Sequence, residues 1–560
     1  MADQSKKDYY ERRKSALVNE RQTFIQQWKD CQDFISPRRG RFFIQDRNKG
    51  DRRWTKIINS AGTQAHRVAT SGMYAGTANP SRPWFGLETD NTDLMEFGPV
   101  KDWLYRTTGL LNKIFADSNF YNMYPTMLGE LLQFGTACMS HVDDYNDVAR
   151  FYTHTIGSYM IAQNDRYDVD TLVREFEWSV SQIVGAFGYD NCSQQVKDQY
   201  DRSNYDAWFP VVHFIEPNQD YSRNKPGSQY KKFKSCYYEC GGDKNKLLSE
   251  KGFDEFPAYC VRWQTTGEDI YGTDCPAMTA LGDIKGLQLE EKQKAQAIAK
   301  MVNPPLKGPQ SLRNVPVSSL PGGLTIYDSA GNANDGLQPI YQVKPDLSAM
   351  RDDMQQYQQR IDQAFFVDLF MAISQMEGIQ PRNQYDLMQR NEERLVQLGP
   401  VLERLNNDFF NKLIDRTFNQ AIRARILPPI PQELAGQNLK VNYISSLSMA
   451  QKSVATTNIE KLAGYVGNLR AMGFVDITDK FDADQSVDEY GQIVGAPPRL
   501  VVSDDVVAQK REVRAKQMAL QQAMATAQQG AGIAQTLSNA ALPQQSEGGP
   551  QNKARVITGG

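Results

Sequence analysis

The chain is poor in the residues from which enzymes and disulfide scaffolds are built, with four histidines and seven cysteines in 560 residues. A sparse, odd set of cysteines argues for reduced thiols in a reducing compartment rather than a disulfide framework. His66, His141, His154 and His213 are scattered, none falls in H-E-x-x-H, and no G-x-S-x-G elbow occurs, which removes two common hydrolase chemistries. A G-x-x-x-x-G-K-[ST] loop is missing as well, so the chain does not burn ATP through a P-loop. No apolar run approaches the roughly 20 residues of a membrane span. Met1 to Lys14 is polar, without the apolar stretch of a secretory signal, and a soluble intracellular protein with no membrane partner is expected. Net charge is also lacking, because 63 Lys and Arg against 66 Asp and Glu leave only -3. That is no field for holding nucleic acid by counterion release; DNA would have to slide past or be enclosed.

Two apparent metal sites fail on spacing. Cys236, Cys240, Cys260 and Cys275 are separated by steps of four, twenty and fifteen, unlike the close thiolate pairs of structural zinc. In a strand Cys236 and Cys240 share a face, where small buried hydrophobes account for them. Asp482, Asp484, Ser486 and Asp488 resemble a calcium loop, but Val487 stands where glycine is required and Ile493 where the closing glutamate belongs. A solvated loop is expected there. A metal-dependent nuclease would need carboxylates clustered at defined spacing, and none are seen. The chain therefore reads as no enzyme, with no catalytic, cofactor or metal site.

What is present is a normal globular composition, 40% hydrophobic and 23% charged, in a length that suggests roughly three to four domains or one large fold with insertions. Leu17, Phe24, Trp28, Cys31 and Ile35 make one stripe of an N-terminal helix that Ser36-Pro37 stops. Arg38, Arg39, Arg41, Arg47, Arg52 and Arg53 then cluster around Phe42, Phe43 and Trp54. That mixture suits phosphates, although charge runs more often face water or a neighbouring subunit. Two more amphipathic helices follow, marked by Val100 to Phe115 and Met127 to Phe134. Strands are predicted at Ala149 to His154, Tyr159 to Ala162, Thr171 to Trp178, Trp208 to Glu216, Lys234 to Cys240 and Tyr259 to Trp263. Ser179 and Gln182 form a capping box for a helix Val180 to Phe187 that Gly188 closes. This first half reads as α+β.

The second half differs in kind. Pro276 opens a helix ending at Asn303-Pro304-Pro305, Asn303 to Lys344 has the makeup of a small loop-rich β insertion, and Leu347 to Leu369 carries one narrow apolar stripe of another long helix. Met371 to Asn383, with Gly378 and Pro381, reads as an irregular loop. Leu395, Leu398, Leu402, Leu405, Phe409 and Leu413 mark a third helix, with a kink expected at Gly399-Pro400. The stripes at 347 to 369 and 395 to 413 look too extensive for one subunit to bury. A mixed helical region runs from Ser445 to about Pro498. Beyond Asp504 the chain turns to Ala and Gln with a weak heptad, Val506, Val513 and Leu520, before a polar, Gly-rich end.

Ser71-Gly72-Met73 followed by Asn79 to Phe85, with Phe134-Gly135-Thr136-Ala137, Arg174-Glu175-Phe176 and Phe187-Gly188, resembles the head-to-tail connector, or portal, proteins of short-tailed bacteriophages. The most family-specific piece is Phe256-Pro257 through Arg262-Trp263, then Gly267-Glu268, Tyr271-Gly272 and Leu281 to Lys285. The likeness covers about residues 10 to 430. One departure is Asn383 to Asn391, which lacks the family's threonine-rich sequence.

The resemblance implies an α+β portal fold: a mixed wing domain, long stem helices, a small β-containing clip insertion, and a helical crown with a C-terminal helical barrel. On this chain it implies wing at 1–270 and, with the kinked helix, 384–444; stem helices at 271–302 and 346–370; clip at 303–345; channel loop at 371–383; crown at 445–503; barrel and tail at 504–560. It implies a ring of about twelve subunits at a capsid vertex of the virion, assembled in the host cytoplasm, through which double-stranded DNA is packaged and ejected without sequence specificity. Implied partners are the terminase large subunit, a tail adaptor protein, and the major capsid and scaffolding proteins. Arg351, Arg360 and Arg382 are expected to face the DNA channel, with salt bridging between subunits as the alternative. Leu312, Arg313, Leu324 and Tyr327 are expected on the docking surface of the clip. Rival readings are another phage structural or tail-adaptor protein and a metal-dependent DNA-processing enzyme.

Overall fold

The computed structural model describes residues 6–44, 50, 52–81, 83–91, 94–95, 97–243, 246–308, 338–339, 346–375, 397–434, 436–474, 476, 480–494, 502 and 506–522. Helices α1 (Lys6–Phe34) and α2 (Ala61–Thr77) precede strand β1 (Phe85–Thr89) and helices α3 (Gly98–Asp117) and α4 (Phe120–Phe134). Strands β2 (Thr136–Asp144), β3 (Val148–His154), β4 (Tyr159–Gln163) and β5 (Val169–Ser179) follow in succession. Helices α5 (Val180–Phe187) and α6 (Gln194–Asp201) intervene before β6 (Trp208–Pro217), β7 (Phe233–Glu239), β8 (Ser249–Phe253) and β9 (Ala258–Arg262). Then come α7 (Pro276–Val302), β10 (Leu306–Lys307), β11 (Gln338–Pro339), α8 (Leu347–Ala364), α9 (Val367–Gln375), α10 (397–423), β12 (Leu439–Tyr443), α11 (Ser446–Ala471), α12 (Ala483–Val494) and α13 (506–522).

All the described strand pairs are antiparallel. The larger sheet runs β4-β5-β6-β7-β8 and the smaller β3-β2-β9. Alternation along the strands gives the larger sheet two apolar faces. Val212, Phe214, Cys236 and Tyr238 pack under Tyr10 and Leu17 of α1, with Cys240 at the edge of that cluster. Val211 and Leu248 instead join Val180 and Ile183 of α5, Cys192 between the two helices and Val196 of α6. Farther along α1, Ile25, Trp28 and Cys31, with Ile35 just beyond its end, enter the main core. The Arg21 guanidinium donates to the Gly157 and Tyr159 carbonyls at 2.6 and 3.2 Å. The expected capping box is present, with Ser179 and Gln182 satisfying each other's amides before α5.

A seam of rings joins the first half to the second. Trp84 lies 4.8 Å from Phe410, and Tyr124 stacks on Phe409 at 5.5 Å. Neighbouring residues of an α-helix point about 100° apart, yet both phenylalanines are buried. A π turn at Asn406–Phe410 within α10 widens the helix locally. The described irregularity of α10 is this turn, downstream of Pro400 where a kink was expected.

Three expectations need correction. The stripe from Leu347 to Leu369 is not one helix: α8 stops at Ala364, and Phe366, at φ 54°, starts α9 in a new direction. The stripe survives the break because Ile361, Phe365 and Leu369 remain buried. Nor do these helices need neighbours to cover them, since Met354, Ile361, Leu398, Leu402, Leu405 and Leu413 are buried within the single chain. The acidic run at 482 to 488 is helical rather than a loop: the Asp482 carboxylate accepts from the Asp484 and Gln485 amides at 3.1 and 3.0 Å and caps α12.

Candidate functional site

The site begins with a helix pair. Pro276 occupies the first turn of α7, where its missing N–H costs nothing, and Asp274 accepts from the Cys275 amide and the Thr279 hydroxyl. The first half of α7 is core, through Ala277, Ala280, Ile284 and Leu287, whereas Leu289, Ile298, Met301 and Val302 are exposed. The helix thus leaves the body. Helix α8 returns beside it in the opposite direction. Arg360 donates to Asp283 at 2.8 Å while its guanidinium lies over the Tyr357 ring at 4.5 Å, and the Tyr357 ring in turn lies against Gly286. Toward the outer end, the Glu290 carboxyl is held above its ordinary value by loss of water contact and by the hydrogen-bonded Asp353 carboxylate. Beyond the helix ends, Leu306 pairs with Pro339 and Lys307 with Gln338. The insertion therefore leaves and re-enters the helix pair through one narrow neck.

Of the residues singled out for the channel, Arg351 lies on α8 with an exposed side chain, 3.7 Å from the Asp352 carboxylate. Arg360 is engaged by Asp283 and Tyr357 of its own chain. Arg382 and the clip residues Leu312, Arg313, Leu324 and Tyr327 lie outside the described residues. The four histidines are buried and neutral by environment. Burial pushes His66 down to about 4, helped by Arg39, while its Nε2 bonds the Gly129 carbonyl at 2.9 Å. His141, His154 and His213 are likewise pushed well below the usual imidazole range, chiefly by burial. Cys260 lies 3.4 Å from Cys138, and Cys236 donates to Tyr10. Among the described residues no three His, Cys, Asp or Glu side chains come together as a metal-ligand set, and no helix is long and apolar enough to cross a membrane.

Residues 7–502 match the family described as Bacteriophage head to tail connecting protein. The chain belongs to that family. It is 43% identical over 524 residues to the portal protein of Salmonella phage epsilon15, covering 93% of both chains. It is 40% identical over 542 residues to the probable portal protein of Bordetella phage BPP-1, covering 96% of both. Among solved structures, a chain from the neck of an empty GTA particle computed with C6 symmetry aligns over 82% of this chain and 97% of its own, at 11% identity and a TM-score of 0.36.

The segments that resemble head-to-tail connecting proteins turn out to build the scaffold. Trp28 donates to the Phe134 carbonyl at 3.1 Å, the Trp263 amide to Gly135 at 2.8 Å, the Gly272 amide to the Thr136 hydroxyl at 2.8 Å, and the Ile161 amide to the Tyr271 hydroxyl at 3.2 Å. Gly135, at φ +72°, ends α4, and a side chain on Gly272 would strike the Gly135 backbone. Here α1, α4, β2, β9 and the root of α7 meet, so this knot fixes where the projecting helix pair starts.

A crevice of about 760 Å³ carries no signature in residue spacing. It is assembled from the turn after β4, the ends of β7 and β9, the last turns of α10 and the chain around 430–441. Leu87, Trp103, Phe233, Phe256, Leu434 and Val441 contribute apolar lining. Asp168, Asp170, Asp254, Glu255 and Asp415 outnumber Lys232, Lys412 and Arg416 there. Lys412 binds Asp168 at 2.8 Å and Arg416 approaches Glu255 at 3.7 Å. Burial and neighbouring Glu255 hold Asp415 above the usual carboxylate range. Its lining comes from stretches far apart in the chain, so no local spacing announces it.

Proposed function

We propose that the chain is a portal subunit, copies of which form a ring of about twelve at one capsid vertex, through which viral DNA is packaged and later ejected. The observation that carries this reading is the likeness, over nearly the full length, to two phage proteins named portal or probable portal. The antiparallel α7 and α8 serve as stem, within 271–302 and 346–370, and the insertion at 303–345, gathered at the β10–β11 neck, serves as clip. Residues 371–383 form the channel loop, 445–503 the crown and 504–560 a barrel and tail. The clip docks the terminase large subunit, which supplies the energy of packaging, and afterwards a tail adaptor protein; capsid and scaffolding proteins surround the ring. With a near-neutral chain of -3, duplex DNA passes without sequence preference and without sticking, and Arg351 is the basic position on α8 offered to it. No step needs a catalytic group.

Electron microscopy and light scattering of the purified protein test this. Twelve 63.4 kDa chains make rings of roughly 760 kDa with a central hole. A monodisperse 63.4 kDa species at high concentration refutes the proposal.

A further inference from the structure

The basic, aromatic segment after α1 is anchored but unusually bare. The Arg41 amide donates to Ile156 at 2.8 Å, Lys56 pairs with Asp33 at 2.6 Å, and the Ile58 amide donates to the Gln288 side chain at 2.6 Å. Between these anchors Phe43 is 70%, Trp54 41% and Ile58 53% exposed. Exposed arginines Arg41 and Arg52 flank them. Large rings held out in water beside cations, on a backbone fixed at several points, have the makeup of an interface anchor. The crevice described above offers the complement, with an apolar lining, a net excess of carboxylates and room for a bulky side chain.

A chain cannot fill its own crevice. Helix α1 measures the separation: Lys29 lies 5.2 Å from the Phe43 ring and Asp33 holds Lys56, whereas Arg13 is the residue of α1 that acts on Asp170 in the crevice. Sixteen residues of helix from Arg13 to Lys29 span roughly 24 Å. The segment and the crevice also flank opposite ends of β4, with Arg41 bonded just before it and Asn164 and Asp168 just after. Two different, complementary patches on one chain make a head-to-tail contact, the kind that closes into a ring when the rotation allows.

We infer that the segment Arg41–Ile44 and Arg52–Ile58 of one subunit seats in the crevice of its neighbour, with Trp54 and Phe43 against the apolar lining and the arginines against the carboxylates. The inference rests on the ring proposed above and adds its bonding pattern. The measurement uses full-length chains carrying Cys240→Ser, which removes the one native thiol that is not buried. One chain carries Thr55→Cys beside Trp54, and a differently tagged one carries Gln437→Cys at the crevice mouth; both positions are exposed. Co-expressed and treated with a short bis-maleimide, they are expected to yield a covalent dimer containing both tags, absent when either is expressed alone. Trp54→Ser in the first chain is expected to lower that yield at least about fivefold, as loss of a buried aromatic anchor does. Rings that give no mixed dimer, or a yield indifferent to Trp54, overturn the contact and leave the portal reading standing. Protein that never rises above monomer overturns both.

Discussion

At the scale of single residues, the buried groups set how the protein responds to acid and to added volume. His66 is held neutral by burial, with its pKa at about 4, so as pH falls the unfolded chain takes up this proton first. The stability tied to His66 is complete above about pH 6.5 and is lost as pH falls toward 4. His66→Gln keeps a donor for the Gly129 carbonyl and removes the proton. Its stability relative to the parent is therefore expected to rise by about 3 kcal/mol between pH 7 and pH 4, read as the difference between denaturation midpoints at each pH; a pH-independent difference would contradict this. Gly72 shows the limit on volume. An added methyl there would run into the base of the Phe370 side chain where α9 crosses α2, and overpacking of that kind costs about 1 to 3 kcal/mol. Gly109, on an exposed turn of α3, has nothing within 4 Å. Gly72→Ala is expected to lower the thermal midpoint and Gly109→Ala to hold or raise it; equal effects would remove the packing explanation.

At the scale of elements, helix ends decide where segments turn. Arg425 sits at φ 56° past α10, with the Ile426 amide reaching back to Ala421 at 3.1 Å, the position where glycine is the usual residue. Arg425→Gly is expected to stabilise the chain by about 1 kcal/mol through relief of the left-handed backbone, and a lowered melting midpoint would contradict it. Ends of this kind separate what could be read in the sequence from what could not. The Ser179 and Gln182 box, Pro276 and the strand alternations are local, and each stands where spacing put it. The break at Phe366 was invisible because the buried stripe continues across it and the positive φ falls on a phenylalanine. The β1–β12 pair joins Phe85 to Tyr443, a pairing no local pattern announces. The crevice draws its lining from distant stretches of chain, each an ordinary polar turn or helix end on its own. Sequence therefore identified the helices that carry the proposed stem and the basic, aromatic segment after α1, but not the crevice inferred to receive that segment.

At the scale of the whole molecule, helix α13 stands almost entirely open to water along its described length. Helix α13 exposes Val506, Val513, Met518 and Leu520 to water. Arg511 of this helix pairs with Asp484 at 2.7 Å, between side chains about half exposed, and such surface pairs contribute little, about 0 to 1 kcal/mol. An isolated helix of this length is marginal in water. In the proposed ring, twelve tethered copies would alter that balance, because attachment to one ring raises their effective concentration and would let the apolar positions of neighbours meet. The ring itself would be held elsewhere, by contacts among the bodies. Removing residues 504–560 is therefore expected to leave rings intact under the electron microscope and to lower helical circular dichroism, with loss confined to packaging or genome retention. Amides of 506–522 are expected to exchange quickly in any monomer and slowly in the ring. If the truncated chain fails to form rings, the segment is a structural clamp and not a late-forming barrel; if exchange is equally fast in both states, twelve copies do not order it.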